Sequence, residues 1–289
     1  MKVLIYLPVF NDEIRIIRAI KSIMNQTFTD WKLIISDNQS SDDTLASIWP
    51  HTIDPRVRVV SQVTHLAVEN HFNYLENIIS DYREFNLVCF ISSDDYWGDE
   101  HYLENLVSNF LEKNGGAGIK LVLPIFSKIS NAPECKPRQI QLKFVDGFYL
   151  IRTVQLFRNW GTVNLFYGLY EKDFLIEIMT QRFSRITAAN PFTDWWWAYY
   201  VLKKTAPVLC YSAVYFKDDF KINHKIEISR IGNLKLTMRF ISDMFKDKLL
   251  LIRFKNFHDF LLIFIFALTK TFFDLLRITR RTIKRILTV

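Results

Sequence analysis

Residues 87–95 read Leu87-Val88-Cys89-Phe90-Ile91-Ser92-Ser93-Asp94-Asp95. The first five are apolar, and such a short apolar run predicts a buried strand. Two adjacent carboxylates are poor strand residues. They are good ligands for Mg²⁺ or Mn²⁺, which usually also hold substrate phosphates. The stretch therefore suggests a metal–diphosphate site, with the alternative that Asp94 and Asp95 cap the next helix.

Upstream of this strand, short apolar runs alternate with segments of helical period, which implies a parallel sheet with helices on its faces. Strands are predicted at 2–7, 31–35 and 57–60, with Pro8 stopping the first ladder. Helices are predicted after Asn11 or Asp12, from Thr44, and over 67–80. The first helix has its apolar positions at Ile14, Ile17, Ile20 and Met24.

Polar groups follow three of these strands: the run from Pro8 to Asn11, then Asp37 with Asn38, then Asp94 with Asp95. In an open α/β sheet, ligands bind outside the carboxyl ends of the strands. We therefore expect the three groups to share one site. Beyond residue 113, strands are predicted at 122–126 and 208–216, and helices at 148–160 and 195–202.

The composition is that of a packed globular chain, with 49% hydrophobic residues and eight glycines in 289 residues. Cys89, Cys135 and Cys210 are far apart and odd in number, which predicts neither a disulfide framework nor a zinc cluster and fits a reducing cytosol. We expect no secretory signal at Met1-Lys2 and no transmembrane helix, because no segment has about 20 continuous apolar residues.

Three ordered blocks resemble bacterial family 2 glycosyltransferases. They are Leu7-Pro8-Val9-Phe10-Asn11, Ala19 to Thr27, and Trp31 to Thr44, and the acidic run through Asp94-Asp95 matches the metal-binding motif of that family. The segments 165–170 and 193–195 look like parts of its acceptor half. The resemblance covers about residues 1–216. It implies a GT-A fold, with a Rossmann-like, mostly parallel central sheet flanked by helices.

The resemblance also implies a domain division and a set of site residues. Residues 1–113 would be the nucleotide-sugar-binding half and 114–220 the acceptor-binding half of one GT-A domain. Asp37 would accept a hydrogen bond from the base, although alone it is a turn former. Asn70, with His71, would contact base or phosphate, or simply face outward on a helix. The implied nucleotide-binding residues are Pro8, Val9, Phe10, Asn11, Asp37, Asn70, Ser93 and Asp94.

The implied cofactor is a divalent metal, Mn²⁺ or Mg²⁺, held by Asp94 and Asp95. It would bridge the diphosphate and stabilise the charge that develops as the sugar departs. Typical members of the family have a further acid two positions before the equivalent of Asp94, where this chain has Ser92. This departure places more weight on the two remaining carboxylates.

Asp194 is the candidate general base, which would remove a proton from the acceptor hydroxyl in an inverting displacement. It heads a run of three tryptophans, and its alternative role is an N-cap for the helix 195–202. Trp195, Trp196 and Tyr167 are the candidate acceptor-binding residues. Because helical neighbours diverge by about 100°, at least one of the three tryptophans is expected in the core.

The basic tail, residues 246–289, holds ten Lys or Arg and three Asp, which accounts for the whole net charge of +7. It forms the end of a predicted helical extension, 221–289. Its polar residues include Lys270, Arg277 and Arg281, and large apolar residues occupy the other side. This pattern is typical of a helix in an anionic membrane interface; the alternative is a helix docked on protein. Nucleic acid is not expected as a partner, since the rest of the chain is neutral.

The sequence thus predicts a metal-dependent, inverting glycosyltransferase that is peripheral to the cytoplasmic face of the inner membrane. It would transfer a sugar from a nucleotide donor, UDP-linked, to a glycan or lipid-linked acceptor in cell-surface polysaccharide synthesis. Two alternatives belong to other classes: a non-catalytic, membrane-associated protein that binds nucleotide sugars, and a sugar nucleotidyltransferase. The second would show a Gly-rich basic loop near the N-terminus, and residues 8–18 contain no glycine.

Overall fold

The computed structural model describes residues 1–66, 68–114, 119–129, 162–183, 197, 201–202 and 204–218. These residues belong to one compact unit built on an eight-stranded mixed sheet of order β3-β2-β1-β4-β7-β6-β8-β5. The strands are β1 Val3–Val9, β2 Trp31–Asp37, β3 Val57–Ser61, β4 Leu87–Phe90, β5 Tyr96–Trp97, β6 Leu121–Ile129, β7 Leu169–Glu171 and β8 Val208–Asp218. All six predicted strands are confirmed.

Helices flank this sheet and bury one face each. They are α1 Ile16–Met24, α2 Thr44–Ile48, α3 Val68–Asp81, α4 Tyr102–Asn114 and α5 Lys172–Phe183, with 3-10 helices at Trp49–Ile53 and Thr162–Tyr167. The predicted short helix at Thr44 and the helix over 67–80 are confirmed. Helices α3 and α5 pack against each other, and α4 packs on β6 and β8. The predicted α/β class with a central sheet is therefore correct.

Pro8 does not stop the first strand, contrary to the prediction. It lies inside β1, which pairs with β2 in parallel as far as Val9 and Asp37. The carbonyl of Tyr6 accepts from Ile91 on the β4 side, and that of Val9 accepts from Asn38 on the β2 side. Backbone groups two residues apart in a strand point to the same side, so the backbone nitrogen of Pro8 points toward β4, as the carbonyl of Tyr6 does. Pairing with β4 has already ended there, with Tyr6 opposite Phe90. The missing N–H of Pro8 removes no ladder bond.

The first helix begins later than the sequence predicts. Residues 13–15 form a turn, α1 starts at Ile16, and no side chain caps it at Arg15. Asp12 contributes its backbone carbonyl, which accepts from Ile16 at 3.2 Å. The buried face consists of Ile16, Ala19, Ile20 and Ile23, while the predicted core position Ile14 is 78% exposed. The predicted capping by Asn11 or Asp12 is thus wrong, and the apolar stripe is displaced.

Strand β7 joins the two predicted halves of the domain into one sheet. It pairs antiparallel with β4, with Cys89 opposite Leu169, and antiparallel with β6, with Val122 opposite Leu169. Strand β8 then pairs in parallel with β6, and its end pairs antiparallel with β5. The boundary at residue 114 remains a prediction, but strands from both sides of it are neighbours in the sheet.

Gly168, immediately before β7, sits where β6 leaves no room for a side chain. A methyl group there would lie 2.5 Å from Leu121 Cδ1, 2.8 Å from Leu123 Cδ2 and 2.9 Å from the carbonyl oxygen of Val122. We expect Gly168→Ala to lower the free energy of unfolding by about 1–3 kcal/mol, because backbone and packed leucines must move. Urea denaturation measures this loss, and an unchanged midpoint would contradict the packing.

Several predicted segments lie outside the described residues. They are the helix at 148–160, most of 195–202, and the whole extension 221–289 that includes the basic tail. Within the described ranges, no helix combines the length and apolar character needed to cross a membrane.

Candidate active site

The carboxyl ends of β1, β2 and β4 are adjacent, as the sequence predicts, because β1 pairs in parallel with both neighbours. Asp37 ends β2 opposite Val9 and is 1% exposed. Its Oδ1 accepts the N–H of Ser40 at 3.2 Å, which is a local turn bond. Asp37 is therefore a turn former and also a carboxylate at the ligand-binding edge.

Asn11 links the loop after β1 to the loop after β2. It has a φ of 48°, a left-handed conformation that asparagine tolerates better than most residues. Its Oδ1 accepts the N–H of Ser41 at 2.8 Å, and its own N–H donates to Ser40 Oγ at 3.0 Å. These two bonds hold the two loops together beyond the paired strand ends Val9 and Asp37.

Phe10 follows Val9, the last residue of β1, and is 48% exposed. The ring of His65 lies edge-on to it, with centroids 4.7 Å apart. Asn38 holds the backbone beside His65 in place: its Oδ1 accepts the N–H of Leu66 at 2.6 Å, and its Nδ2 donates to the Leu66 carbonyl at 3.0 Å. Because nearly half of Phe10 is exposed, its ring can contact a flat ring such as a nucleotide base.

Asp94 presents a half-exposed carboxylate just beyond β4, with its side chain 35% exposed. Ser92 donates its hydroxyl hydrogen bond to Asp94 Oδ1. Neither Asp94 nor Asp95 caps the next helix: β5 follows at once, and α4 begins only at Tyr102. The capping alternative is therefore wrong. Asp94 keeps its side chain 35% exposed, so a ligand can reach it from solvent.

Asp95 is oriented differently, although it is the next residue. It is 2% exposed. Its Oδ2 accepts the hydroxyl of Tyr215 and its Oδ1 accepts the N–H of Asp218, each at 3.0 Å. Both donors belong to β8, so Asp95 ties the loop after β4 to that strand. Its assignment as a metal ligand stays a prediction.

The segment that leads into α1, and the first turn of that helix, bring charged residues to the same place. Asp12, 6% exposed, accepts from Ser93 Oγ at 2.6 Å and from Arg15 Nε at 2.7 Å. Arg15 Nη1 in turn lies 3.9 Å from Asp94 Oδ2. Arg18 Nη2 donates to the backbone carbonyl of Asp94 at 2.9 Å. The predicted nucleotide-binding residue Ser93 is thus engaged with Asp12.

The sequence interpretation did not include Asp12, Arg15 and Arg18 among the site residues. Their spacing of three residues was the available signal, because it would place them on one face of a helix; in the structure only Arg18 lies within α1. Tyr215 and Asp218 carried no such signal, since they lie more than 100 residues after the acid that they contact.

Tyr167, a predicted acceptor-binding residue, lies close to the acid pair. Desolvation raises the pKa of its hydroxyl, and the charges of Asp95 and Asp94 raise it further. Its ring is 5.0 Å from that of Tyr215, and Lys217 Nζ lies 4.4 Å from the ring centroid. The structure therefore brings a residue of the predicted acceptor half beside Asp94.

Trp197 lies in the core with 0% exposure, which agrees with the expectation that at least one of the three tryptophans does. Its Nε1 donates to the Tyr170 hydroxyl at 2.9 Å, and its ring lies 6.2 Å from that of Phe90, the last residue of β4. Asp194, Trp195 and Trp196 lie outside the described residues, as does the side chain of Asn70, whose backbone belongs to α3.

The chemistry of the residues at the end of β4 would suit a divalent cation shared with substrate phosphates. Across the described ranges, no cluster of three or more His, Cys, Asp or Glu could hold a metal. Asp94 offers an accessible carboxylate, whereas Asp95 has both oxygens engaged. Mg²⁺ commonly binds through one or two carboxylates together with substrate phosphates and water. Asp94 is therefore the residue that would hold Mg²⁺ or Mn²⁺ here.

Asp95 should make the stability of the fold depend on pH. Burial, and then the neighbouring charge of Asp94, raises the pKa of Asp95 to about 7. In the unfolded chain this carboxyl ionises near pH 4. The contribution of Asp95 to the free energy of unfolding is therefore fully present below pH 4 and is lost as the pH rises through 7. Between pH 5 and pH 8, the free energy of unfolding should fall by about 2 kcal/mol more in the wild type than in Asp95→Asn.

Urea denaturation of both proteins in a metal chelator, at the two pH values, checks this. The substituted asparagine keeps an acceptor for the Asp218 N–H and has an amide that can donate to the Tyr215 oxygen. Equal pH dependence of the two unfolding free energies would contradict the raised pKa.

Curated relatives match parts of this chain. A chondroitin synthase of Escherichia coli is 44% identical over 59 residues, which is 20% of this chain and 9% of the relative. A UDP-Glc:alpha-D-GlcNAc-diphosphoundecaprenol beta-1,3-glucosyltransferase of Escherichia coli is 28% identical over 110 residues, 38% of this chain and 41% of the relative. The matches therefore span less than half the length of these relatives.

Solved structures share the architecture. S. aureus TarS in complex with UDP-GlcNAc has a TM-score of 0.59 at 14% identity, over 84% of this chain and 66% of that one. The mannosyltransferase PcManGT of Pyrobaculum calidifontis, in complex with GDP-Man and Mn²⁺, has a TM-score of 0.54 at 13% identity, over 85% of this chain and 64% of that one. The expected GT-A fold is therefore confirmed. The model of glycosyl transferase family 2 matches residues 4–166, and the chain belongs to that family.

Proposed function

We propose that this protein is an inverting glycosyltransferase that transfers a sugar from a UDP-linked donor to a glycan or lipid-linked acceptor. The observation that carries the proposal is the arrangement at the carboxyl ends of three neighbouring parallel strands. Phe10 offers an exposed aromatic ring for a base, and the buried carboxylate of Asp37 ends the neighbouring strand. Asp94 offers the accessible carboxylate one strand further along.

The donor would lie across this edge, with its base against Phe10 and its diphosphate near Asp94. The carboxylate of Asp37 would accept from the base, and Asn11 would hold the loop after β1 to the loop after β2 beside the nucleotide. A bound Mg²⁺ or Mn²⁺ would neutralise charge on the departing diphosphate. Asp95 would hold the loop that carries Asp94, through its bonds to β8.

The transfer is a single displacement at the anomeric carbon. The acceptor oxygen forms a bond to that carbon, the bond from the carbon to the diphosphate oxygen breaks, and its electron pair leaves with UDP. The acceptor proton goes to the Asp194 carboxylate. Support for Asp194 comes from Trp197, three residues later, which packs against the strand that leads to Asp94.

The proposed acceptor class draws on the relatives. One matched Escherichia coli enzyme is named for UDP-Glc and an undecaprenol-linked sugar. A relative from Campylobacter jejuni is 49% identical over 43 residues, 15% of this chain and 14% of the relative. It is named for a glucosyl transfer to an undecaprenol-linked glycan. A lipid-linked acceptor suits a peripheral enzyme at the cytoplasmic face of the inner membrane, with the basic tail against anionic lipid.

A panel of nucleotide sugars tests the proposed activity. The purified full chain, with Mn²⁺, is mixed with UDP-, GDP- and dTDP-linked sugars and a membrane extract that contains lipid-linked glycans. We expect release of UDP and labelled lipid from a UDP-sugar. Metal-dependent binding of UDP without transfer or hydrolysis of any donor would instead support the non-catalytic alternative.

The basic tail supplies a separate prediction about the membrane. Each basic residue near anionic lipid contributes about 1 kcal/mol. Replacing the four basic residues of the last ten by glutamine should therefore weaken sedimentation with phosphatidylglycerol vesicles by more than tenfold; they are Arg280, Arg281, Lys284 and Arg285.

Phosphatidylcholine vesicles, which have no net charge, provide the control for this measurement. Because the attraction is electrostatic, binding of the wild type to anionic vesicles should also fall as salt rises. Equal sedimentation of the wild type and the glutamine variant would contradict a role for the tail as anchor.

A further inference from the structure

Arg15 points a guanidinium at Asp94 and has no part in the transfer described above. Its Nε edge is used by Asp12, at 2.7 Å from Oδ1. Its Nη1 end lies 3.9 Å from Asp94 Oδ2, and its side chain is 20% exposed. A guanidinium presents five N–H donors in a planar fork that suits phosphate oxygens. The Nη end of Arg15 is therefore available where a diphosphate would meet Asp94.

The orientation of this guanidinium is set in advance. Asp12 is buried, and Ser93 Oγ donates to its Oδ2 at 2.6 Å. The backbone N–H of Asp12 donates to Thr44 Oγ1 at 2.8 Å. Ser93 and Thr44 fix Asp12, and Asp12 in turn fixes Arg15 Nε. Arg15 is therefore already ordered, and an anion that binds it loses little affinity to side-chain entropy.

Arg18, three residues later in the first turn of α1, is engaged in another way. Its Nη2 donates to the backbone carbonyl of Asp94 at 2.9 Å and to Asp218 Oδ2 at 2.5 Å. Its guanidinium carbon lies 4.4 Å from the centroid of the Tyr96 ring. Arg18 therefore joins α1 to β5 and β8, whereas Arg15 faces the half-exposed carboxylate.

The loop after β4 carries one negative charge fewer than it would with a third acid beside Asp94 and Asp95. Ser92 stands two positions before Asp94 and contributes a hydroxyl in place of a carboxylate. With one negative charge fewer and a guanidinium close to Asp94, a diphosphate meets less repulsion.

We propose that Arg15 binds the donor diphosphate directly and carries part of its charge neutralisation, so that nucleoside diphosphates bind this chain even without a divalent cation. The inference rests on the proposed nucleotide-sugar donor. Arg15 is a binding residue in this account, and its effect should concern the phosphates and not the base.

Calorimetric titration of the full chain in EDTA tests this, with UDP, uridine and inorganic pyrophosphate as probes. We expect the wild type to bind UDP. Arg15→Gln should lower the affinity for UDP by about ten- to hundredfold, the effect of losing hydrogen bonds between charged groups. Its affinity for uridine should stay within about twofold of the wild-type value. Lys21→Gln is the matched control, because it removes the same charge from an exposed position of α1 and should change neither affinity.

Each other outcome decides one of the two proposals. Equal affinity of the wild type and Arg15→Gln for UDP would overturn the role of Arg15 and leave the UDP-linked donor standing. Wild-type binding of UDP only with Mn²⁺ would overturn the claim of metal-free binding. Pyrophosphate binding that depends on Arg15, without UDP binding, would support Arg15 and overturn the UDP donor.

A second variant covers the case in which Arg15→Gln does not fold. Arg15→Lys keeps the charge but loses the planar fork, so UDP should bind severalfold more weakly and uridine as in the wild type. Unchanged UDP affinity in Arg15→Lys and a folded Arg15→Met together would overturn the proposal. The melting temperature of each variant, compared with that of Lys21→Gln, shows that a loss of affinity is not a loss of fold.

Discussion

Asp194→Asn is expected to lower the rate of sugar transfer by about 10²- to 10⁴-fold, the usual contribution of a general base. Affinity for UDP should remain within about twofold, because the base acts on the acceptor hydroxyl and not on the donor nucleotide. Turnover with the active donor from the nucleotide-sugar panel, together with calorimetric titration of UDP, measures both quantities on the same protein.

Asp173→Asn is the control for Asp194→Asn, since Asp173 is an exposed acid in the first turn of α5. It should retain the wild-type rate. A rate for Asp194→Asn close to that of the wild type would reject Asp194 as the base. A parallel loss of UDP affinity would show that the substitution disturbs the donor site instead.

Asp94→Asn is expected to lower the transfer rate in saturating Mn²⁺ by about 10²- to 10³-fold, comparable to losing one electrostatic contact to the transition state. It should also remove the gain in UDP affinity that Mn²⁺ gives the wild type. In EDTA, however, UDP should bind this variant as well as the wild type or better, because one negative charge near the diphosphate is gone.

Asp43→Asn provides the comparison for Asp94→Asn, because Asp43 is an exposed acid in the loop before α2. Its rate and its response to Mn²⁺ should match those of the wild type. Retention of the Mn²⁺-dependent gain in Asp94→Asn would show that another group holds the metal, and Asp95→Asn would then be the next variant to titrate.

Much of the fold was accessible from local pattern. The long strands and α3 follow from runs of apolar residues that are long enough to show a period. Strands β5 and β7, of two and three residues, are too short to show one. The face of α1 was misplaced because Ile14, an apolar residue in the turn before the helix, fits the same spacing as the buried residues.

The order of residues along the chain was enough to place carboxylates and amides at one edge of a parallel sheet, since parallel strands bring their carboxyl ends together. It did not decide how Asp94 and Asp95 differ. Tyr215 and the backbone of Asp218, contributed by β8, take up both oxygens of Asp95 and leave Asp94 near solvent. Two adjacent carboxylates have the same local pattern, so only partners brought from distant parts of the folded chain can separate a buried support from an accessible ligand.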